Sequence, residues 1–168
     1  MLRAAGAASL GLTPGGNTLG AMSTFVFIWD PTNSSYLADD YAADVAVTAA
    51  GGTVDGRWST GSRRRGLEAG DRAFLLRQRV DRGIVAAGRL VDGEVFLDRH
   101  FADPSRLKAY TRIRWERLVP ADDRLPLEEL LRDVPGHAWN AVYGSGQQVR
   151  PPADDLLDAV WRRHLHRI

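Results

Sequence analysis

The chain contains no cysteine, which excludes disulfides, thiolate metal sites and cysteine nucleophiles. The lack of cysteine suits a reducing cytoplasm, and we expect the protein there. No apolar run has the length that a membrane span requires, so we expect no membrane partner. Lysine is almost absent, since Lys108 is the only one and all other basic side chains except histidine are arginine.

Motifs of the common enzyme classes are missing as well. The sequence has no HExxH, GxSxG, P-loop or Rossmann glycine pattern. Ser145 lies between two glycines but without the spacing of a nucleophile elbow, and pairs such as Asp122-Asp123 fit turns or helix starts. We therefore predict a protein that is not an enzyme and that uses no cofactor and no metal.

What the chain does have is a local concentration of arginine. With 168 residues and a net charge of +1 it has the composition of one ordinary globular domain. Eight arginines nevertheless fall between Arg57 and Arg82, including the run Arg63 to Arg65. Arginine forms bidentate contacts with phosphate and stacks on planar groups, so this segment is a candidate polyanion contact. A solvated surface loop is the alternative interpretation of the triple arginine.

The hydrophobic pattern predicts an α+β fold with a small, mostly antiparallel sheet or barrel. Strands are predicted at 25–29, 73–76, 84–90, 95–97 and 110–119, and helices at 37–49, at 127–132 and from Pro152 onward. We expect residues 1–21 to be a disordered extension and residues 22–168 to form one domain.

Two polar segments contain unusual aromatic residues. Trp58 and Ser59 lie in the first, predicted to be a loop, and the second, GHAWNAVYGSGQQV, contains Trp139, Tyr143 and the Ser145-Gly146 pair. A tryptophan in a polar loop exposes apolar surface unless something stacks on it, and two facing rings would make a slot for a flat group. A core position is the alternative for each tryptophan, and we assign Trp29, Trp115 and Trp161 to the core.

From Phe25 to the last helix, the chain resembles the EVE-type branch of the PUA-like superfamily, which is related to YTH and ASCH domains. The resemblance is strongest to the EVE-like modules of modification-dependent HNH restriction endonucleases. It is carried by the order of several pieces: Trp29-Asp30-Pro31, Trp58-Ser59, the stretches 70–77 and 82–88, Tyr110, Trp115, Trp139, Ser145-Gly146 and Trp161. No single piece is diagnostic, but together they cover nearly all of the chain after Met22.

The resemblance implies a small PUA-like curved β-barrel with flanking helices and a pocket for a modified base flipped out of the duplex. It places Trp58 and Trp139 as the pocket walls and Ser59, Ser145 and Gly146 at the edge of the base. A third aromatic is expected after the Asp-Pro turn, where Tyr36 is the nearest candidate, and Tyr143 completes the candidate pocket. The phosphate-binding candidates are Arg63, Arg64, Arg65, Arg77, Arg79 and Arg82.

The function expected on these grounds is recognition of modified cytosine in DNA, with a nuclease effector as a possible further partner. Two alternatives remain open: binding of RNA, which PUA-like relatives often read, and binding of a free nucleotide or another small molecule in a regulatory role.

Overall fold

The computed structural model describes residues 20–33 and 35–168. The predicted disorder of residues 1–21 therefore falls almost entirely outside the described residues. The described residues form eight strands, three α-helices and two short 3-10 helices, joined by turns and loops. The strands are β1 (Thr24–Trp29), β2 (Val54–Ser59), β3 (Arg72–Arg77), β4 (Gly83–Leu90), β5 (Phe96–Arg99), β6 (Leu107–Leu118), β7 (Leu125–Pro126) and β8 (Gln147–Val149). The helices are α1 (Ala38–Ala49), α2 (Leu127–Asp133) and α3 (Ala153–Leu165).

All eight strands belong to one mixed sheet with the order β2-β6-β4-β3-β1-β8, while β5 pairs with β6 and β7 with β4. The pair β1–β3 is parallel and the others are antiparallel, so the α+β class and the mostly antiparallel sheet are confirmed. The expected closure into a barrel is not confirmed. Among the described residues, β2 and β8 stand at opposite ends of the pairing order and do not pair with each other.

Each face of the sheet carries a hydrophobic core, because alternate side chains of a strand point to opposite faces. Phe25, Phe27 and Trp29 of β1 join Tyr41 of α1 and Trp115 in the α1-side core. The alternate residues of β1 and β3 join residues of α2 and α3 in the α3-side core: Val26, Phe74, Leu76, Leu130, Leu157 and Trp161. Trp29, Trp115 and Trp161 are all buried, as predicted.

The position of Trp58 differs from the expectation. It lies in β2, which pairs with β6 over its whole length, and not in a loop. In β2 the charged side chains of Asp55 and Arg57 are exposed while Val54 and Trp58 are half-buried. This polar alternation is typical of an edge strand with one solvated face.

Candidate functional site

The loop that follows β2 and the loop that precedes β8 lie directly against each other. A Cβ atom on Gly61 would be 2.7 Å from the carbonyl oxygen of Ser145, and one on Gly146 would be 2.8 Å from the carbonyl oxygen of Thr60. Both glycines have positive φ, 60° and 80°, which L side chains rarely adopt. Arg63 adds a hydrogen bond from Nε to the carbonyl of Gly146, 2.7 Å away. The segment that follows Trp58 and Ser59 and the segment that contains Ser145 and Gly146 are therefore neighbours.

Ser145 and Gly146, which immediately precede β8, extend its pairing with β1. The Gly146 amide donates to the carbonyl of Val26 (2.9 Å), and the Ile28 amide donates to the Ser145 hydroxyl (3.1 Å). Both residues thus have a structural role in addition to the predicted contact with a base. They line a surface depression of about 450 Å³ that we call the arginine trough.

The arginine trough carries a strong positive charge. Its lining contains Arg63, Arg64, Arg65 and Arg150 together with serine, glycine and glutamine, and no acidic residue. Within the part of the chain that the structure describes, none of these four arginines has a carboxylate within 4.0 Å. Most other arginines do have one, for example Arg114, which grips Asp55 at 2.7 Å and 2.8 Å. The trough is therefore a place where an external anion meets unneutralised guanidinium groups.

Trp58 and Ser59 line a separate cleft of about 480 Å³, which we call the Trp58 cleft. Its volume lies within the range of small-molecule sites. Aromatic walls, small polar groups and two cations share the lining, which comprises Ile28, Asp30, Asn33, Ser35, Arg57, Trp58, Ser59, His100, Phe101, Ala102, Lys108 and Tyr110. The Arg57 guanidinium stacks over the Tyr110 ring at 4.3 Å and pairs with Asp98. The cleft can thus take a flat ring with polar edges.

Tyr36 lies next to Trp58 but not opposite it. Their ring centroids are 5.7 Å apart at an interplanar angle of 69°, a direct edge-to-face contact with no room for a third ring. Trp58 makes a similar contact with Trp115 at 5.9 Å. Burial, with a hydrogen bond to Asp44, raises the pKa of the Tyr36 hydroxyl. Tyr36 therefore does not line the Trp58 cleft, and its ring packs against Trp58 beside a smaller depression of about 150 Å³ that Tyr36, Trp58 and Trp115 line together.

Trp139 is not a wall of any cleft. Only 1% of its surface is exposed, it belongs to the α3-side core, and its indole Nε1 donates to the carbonyl of Val134 at 2.9 Å. Trp58 packs against the α1-side core, so the sheet separates the two indoles. The expectation that Trp58 and Trp139 face each other is wrong, because a tryptophan in a polar segment can also be buried when its N–H finds a backbone acceptor.

The aromatic residues that do share the cleft with Trp58 come from the β5–β6 hairpin and were missed by the sequence interpretation. Phe101 is 40% exposed, and its ring lies 4.4 Å from that of His100. Burial, with Lys108 and Arg106 nearby, lowers the pKa of His100. The signal was present, since Phe101 is an aromatic residue in the polar loop RHFADPSR, the same feature that drew attention to Trp58.

The second set of predicted residues lies in a third depression of about 600 Å³, the Tyr143 cleft. It brings together Tyr143, Arg79 and Arg82, and it shares Ile28 and Asp30 with the Trp58 cleft. Arg79 pairs with Asp30 at 3.3 Å. Hydrogen bonds from Thr32, followed by Arg79, lower the pKa of the Asp30 carboxyl. Tyr143 therefore belongs beside the Trp58 cleft and not inside it.

Arg77 does not join either group. Its side chain is half-buried, with the guanidinium carbon 5.2 Å from the centroid of the Trp29 ring. The Nε atom is buried and has no hydrogen-bond partner among the described residues. The guanidinium packs at the rim of the α1-side core and is not among the residues that line the arginine trough, the Trp58 cleft or the Tyr143 cleft, so a contact of Arg77 with phosphate stays a prediction.

Comparison of the chain with protein-family models, with curated proteins and with solved structures gives no match in any of the three. In the described ranges, no three histidine or carboxylate side chains are grouped as metal ligands would be. In those same ranges, every helix is too short or too polar to cross a bilayer.

Proposed function

We propose that this protein is a non-catalytic nucleic-acid-binding module that holds an unstacked base in the Trp58 cleft. The observation that carries the proposal is that residues close together in the chain and joined by a hydrogen bond line that cleft and the arginine trough. Ser59, the last residue of β2, lines the cleft, and Ser62, three residues further along the chain, lines the trough. The hydrogen bond between Ile28 and Ser145 connects the two depressions on their other side. One face of the molecule thus offers an aromatic slot and a phosphate contact together.

The aromatic part of the cleft suits a base better than an aliphatic ligand. Trp58 is half-buried and held in position by Tyr36 and Trp115, so little entropy is lost when a ring stacks on it. Asn33, Ser35 and Ser59 supply amide and hydroxyl groups for the edge of a base. The proposal includes the EVE-type relationship, the curved PUA-like barrel and modified cytosine in DNA as the base that is read.

The energies set how such a module would discriminate. Extrusion of a paired base costs a few kcal/mol, and stacking on one aromatic side chain returns about 1–3 kcal/mol. Because Trp139 lies in the core, the stacking free energy comes only from Trp58 and the aromatic residues of the β5–β6 hairpin. It therefore offsets only part of the free energy that extrusion of the base costs. A base in a mismatch or in a single strand, whose extrusion costs less, should therefore bind more tightly than the same base in a perfect duplex.

The arginine trough supplies the remaining affinity. Arg64 and Arg65 are exposed, and the absence of acidic residues in the lining favours a polyanion over a neutral metabolite. Binding through such contacts falls as salt rises, because each neutralised phosphate releases counterions. In this proposal the module acts in the cytoplasm, and any cleavage of the nucleic acid belongs to a nuclease partner.

The test compares Trp58→Ala and Trp58→Phe with the unmodified protein on one duplex containing plain, 5-methyl- or 5-hydroxymethylcytosine, by fluorescence anisotropy at low salt. We expect the wild-type protein to bind a duplex with 5-methyl- or 5-hydroxymethylcytosine more tightly than the plain duplex. Trp58→Ala should lose about 1–3 kcal/mol of binding free energy, and Trp58→Phe should lose less. Thermal melting checks that both variants are folded, since Trp58 also contacts Trp115.

Equal binding of the three duplexes, or undiminished binding by a folded Trp58→Ala variant, would refute the base-reader role. Competition separates the alternatives. Single-stranded RNA that displaces the modified duplex would identify an RNA-binding module. Saturation by a mononucleotide, without salt-dependent binding to polymers, would identify a small-molecule site.

A further inference from the structure

The Tyr143 cleft is the larger of two depressions that meet along one ridge. Ile28 and Asp30, which form this ridge, line both the Tyr143 cleft and the Trp58 cleft. A ligand that fills the Trp58 cleft therefore ends within one side chain of a second site. The second site has its own aromatic ring and its own arginines, which the proposed pocket for a single base does not use.

The walls of the Tyr143 cleft are tied together by hydrogen bonds between two chain segments. The Gln78 side-chain amide donates to the carbonyl of Val142 at 2.8 Å, and Arg82 Nε donates to Gln78 Oε1 at 2.9 Å. The turn between β3 and β4 is thereby joined to the segment that precedes Tyr143. The depression is a built cleft between two connected segments and not a gap between independent loops.

The turn itself has an unusual backbone. Arg79 and Asp81 both have positive φ, 67° and 49°, in a region that side chains other than glycine seldom occupy. Such conformations persist where the surrounding structure enforces them, and they concentrate at binding sites. Here the enforced turn presents Arg79, whose side chain is 72% exposed, at the cleft that Arg82 also lines.

Tyr143 gives this cleft its ligand chemistry. It is 88% exposed, more than any other large apolar side chain in the described part of the chain. An exposed aromatic ring beside two guanidinium groups matches a nucleotide, whose base stacks on the ring while its phosphate meets the arginines. The Asp30 carboxylate on the ridge can accept a hydrogen bond from an exocyclic amino group.

We propose that the Tyr143 cleft binds the nucleotide adjacent to the one held in the Trp58 cleft, so that the protein reads two consecutive nucleotides of one strand. This inference depends on the proposed function, because it needs a base in the Trp58 cleft. It assigns Tyr143 to the neighbouring base, Arg79 and Arg82 to the phosphate of that nucleotide, and Asp30 to the boundary between the two.

The experiment measures Tyr143→Ala, Tyr143→Phe and Trp58→Ala against three oligonucleotides with one modified cytosine. One is intact, one has an abasic site on the 5′ side of the cytosine, and one has it on the 3′ side. On the intact strand, Tyr143→Ala should weaken binding by about 5- to 150-fold, as loss of one stacked base predicts. Tyr143→Phe should bind nearly as well as the unmodified protein. On one of the two abasic strands, Tyr143→Ala and the unmodified protein should bind equally.

Trp58→Ala is the matched control, because it should weaken binding to all three strands. The second subsite is refuted if Tyr143→Ala weakens binding equally on the intact strand and on both abasic strands. It is also refuted if Tyr143→Ala has no effect while Trp58→Ala weakens binding. In either case the proposed role of the Trp58 cleft remains. If neither variant affects binding, the proposed function fails and the inference fails with it. The high exposure of Tyr143 means that its replacement should leave the fold intact.

Discussion

The amide of Ile28 donates a hydrogen bond to the hydroxyl of Ser145, at a distance of 3.1 Å and 117 positions along the chain. Ile28 lies on the ridge between the Trp58 cleft and the Tyr143 cleft, and Ser145 lines the arginine trough. This side-chain contact thus links residues that line all three depressions. Because the Ser145 hydroxyl accepts from an amide of β1, it continues the hydrogen bonding between β1 and β8 past Gln147, the first residue of β8.

Replacement of Ser145 by alanine should remove the hydrogen bond between the Ile28 amide and the Ser145 hydroxyl. The part-buried Ile28 amide would lose its partner, which costs roughly 1–3 kcal/mol when no water replaces it. We expect a lower free energy of unfolding in urea denaturation. Ser62→Ala, a change at an exposed serine of the same trough, is the control and should leave stability unchanged. Equal stability of the two variants would show that the bond between Ile28 and Ser145 contributes nothing.

Trp139→Phe should affect stability and not recognition. The change removes the donor to the Val134 carbonyl and leaves a smaller ring in the α3-side core, for a loss of about 1–3 kcal/mol of unfolding free energy. Oligonucleotide affinity, measured well below the melting temperature, should be the same as for the unmodified protein. A selective loss of binding to the modified duplex by a fully folded Trp139→Phe variant would contradict the assignment of Trp139 to the core.

The salt dependence of binding should identify the residues that bind phosphate. In an Arg64→Gln, Arg65→Gln double variant, the slope of log K against log salt should become shallower by roughly 0.7–0.9 for each phosphate that is no longer neutralised. Arg114→Gln is the matched control, because that arginine is already paired with Asp55. Anisotropy titrations at several salt concentrations provide the slopes. If the double variant and the control have equal slopes, the trough is not where the phosphates bind.

The free energy of unfolding should decrease as the pH is lowered, and protonation of His137 should contribute to this decrease. Its ring packs against Trp139 at 4.5 Å, its Nε2 is buried without a partner among the described residues, and burial lowers its pKa below the usual 6.5. The unfolded chain takes up a proton on this histidine near pH 6.5, whereas the folded chain does so only at lower pH. Below about pH 6.5 the unfolded state therefore binds more protons, and the unfolding free energy decreases as pH falls.

His137→Gln removes this titration and tests the prediction. Between about pH 7.5 and pH 5.5 the melting temperature of the unmodified protein should decrease more than that of the variant. The other titrating groups are common to both proteins and cancel in the difference. If the melting temperatures of the two proteins decrease equally over this pH range, His137 has the same pKa in the folded and unfolded chains.

The main elements of the fold follow from local patterns. The apolar runs of β3 and β4 and the alternation of β6 are determined by burial of those strands, so the sequence predicts them within a few residues. β2 was not predicted because its sequence, VDGRWS, is that of an exposed edge strand, in which two charged side chains face solvent. Its pairing with β6 depends on residues more than fifty positions away.

The candidate site was predictable only in part, for the same reason. Sequence shows that Trp58 and Trp139 are aromatic residues in polar segments, but the exposure of each ring depends on whether it lies within a core, as Trp139 does, or at the margin of one, as Trp58 does. Similarly, the sequence shows the triple arginine, but it does not show that these arginines lack a carboxylate partner. That depends on where the fold places the carboxylates and which other arginines they pair with. Arg77 illustrates the limit, since its neighbour Trp29 comes from the adjacent parallel strand.

The contact of Gly61 with Ser145 and of Gly146 with Thr60 has a consequence for how this surface can change during evolution. Neither loop can gain a side chain at its glycine, nor shift its path, unless the other loop changes in step. Arg64 and Arg65 lie just outside this junction and are exposed. The charge of the trough can therefore change by single substitutions during evolution, whereas the residues of the glycine junction can change only together.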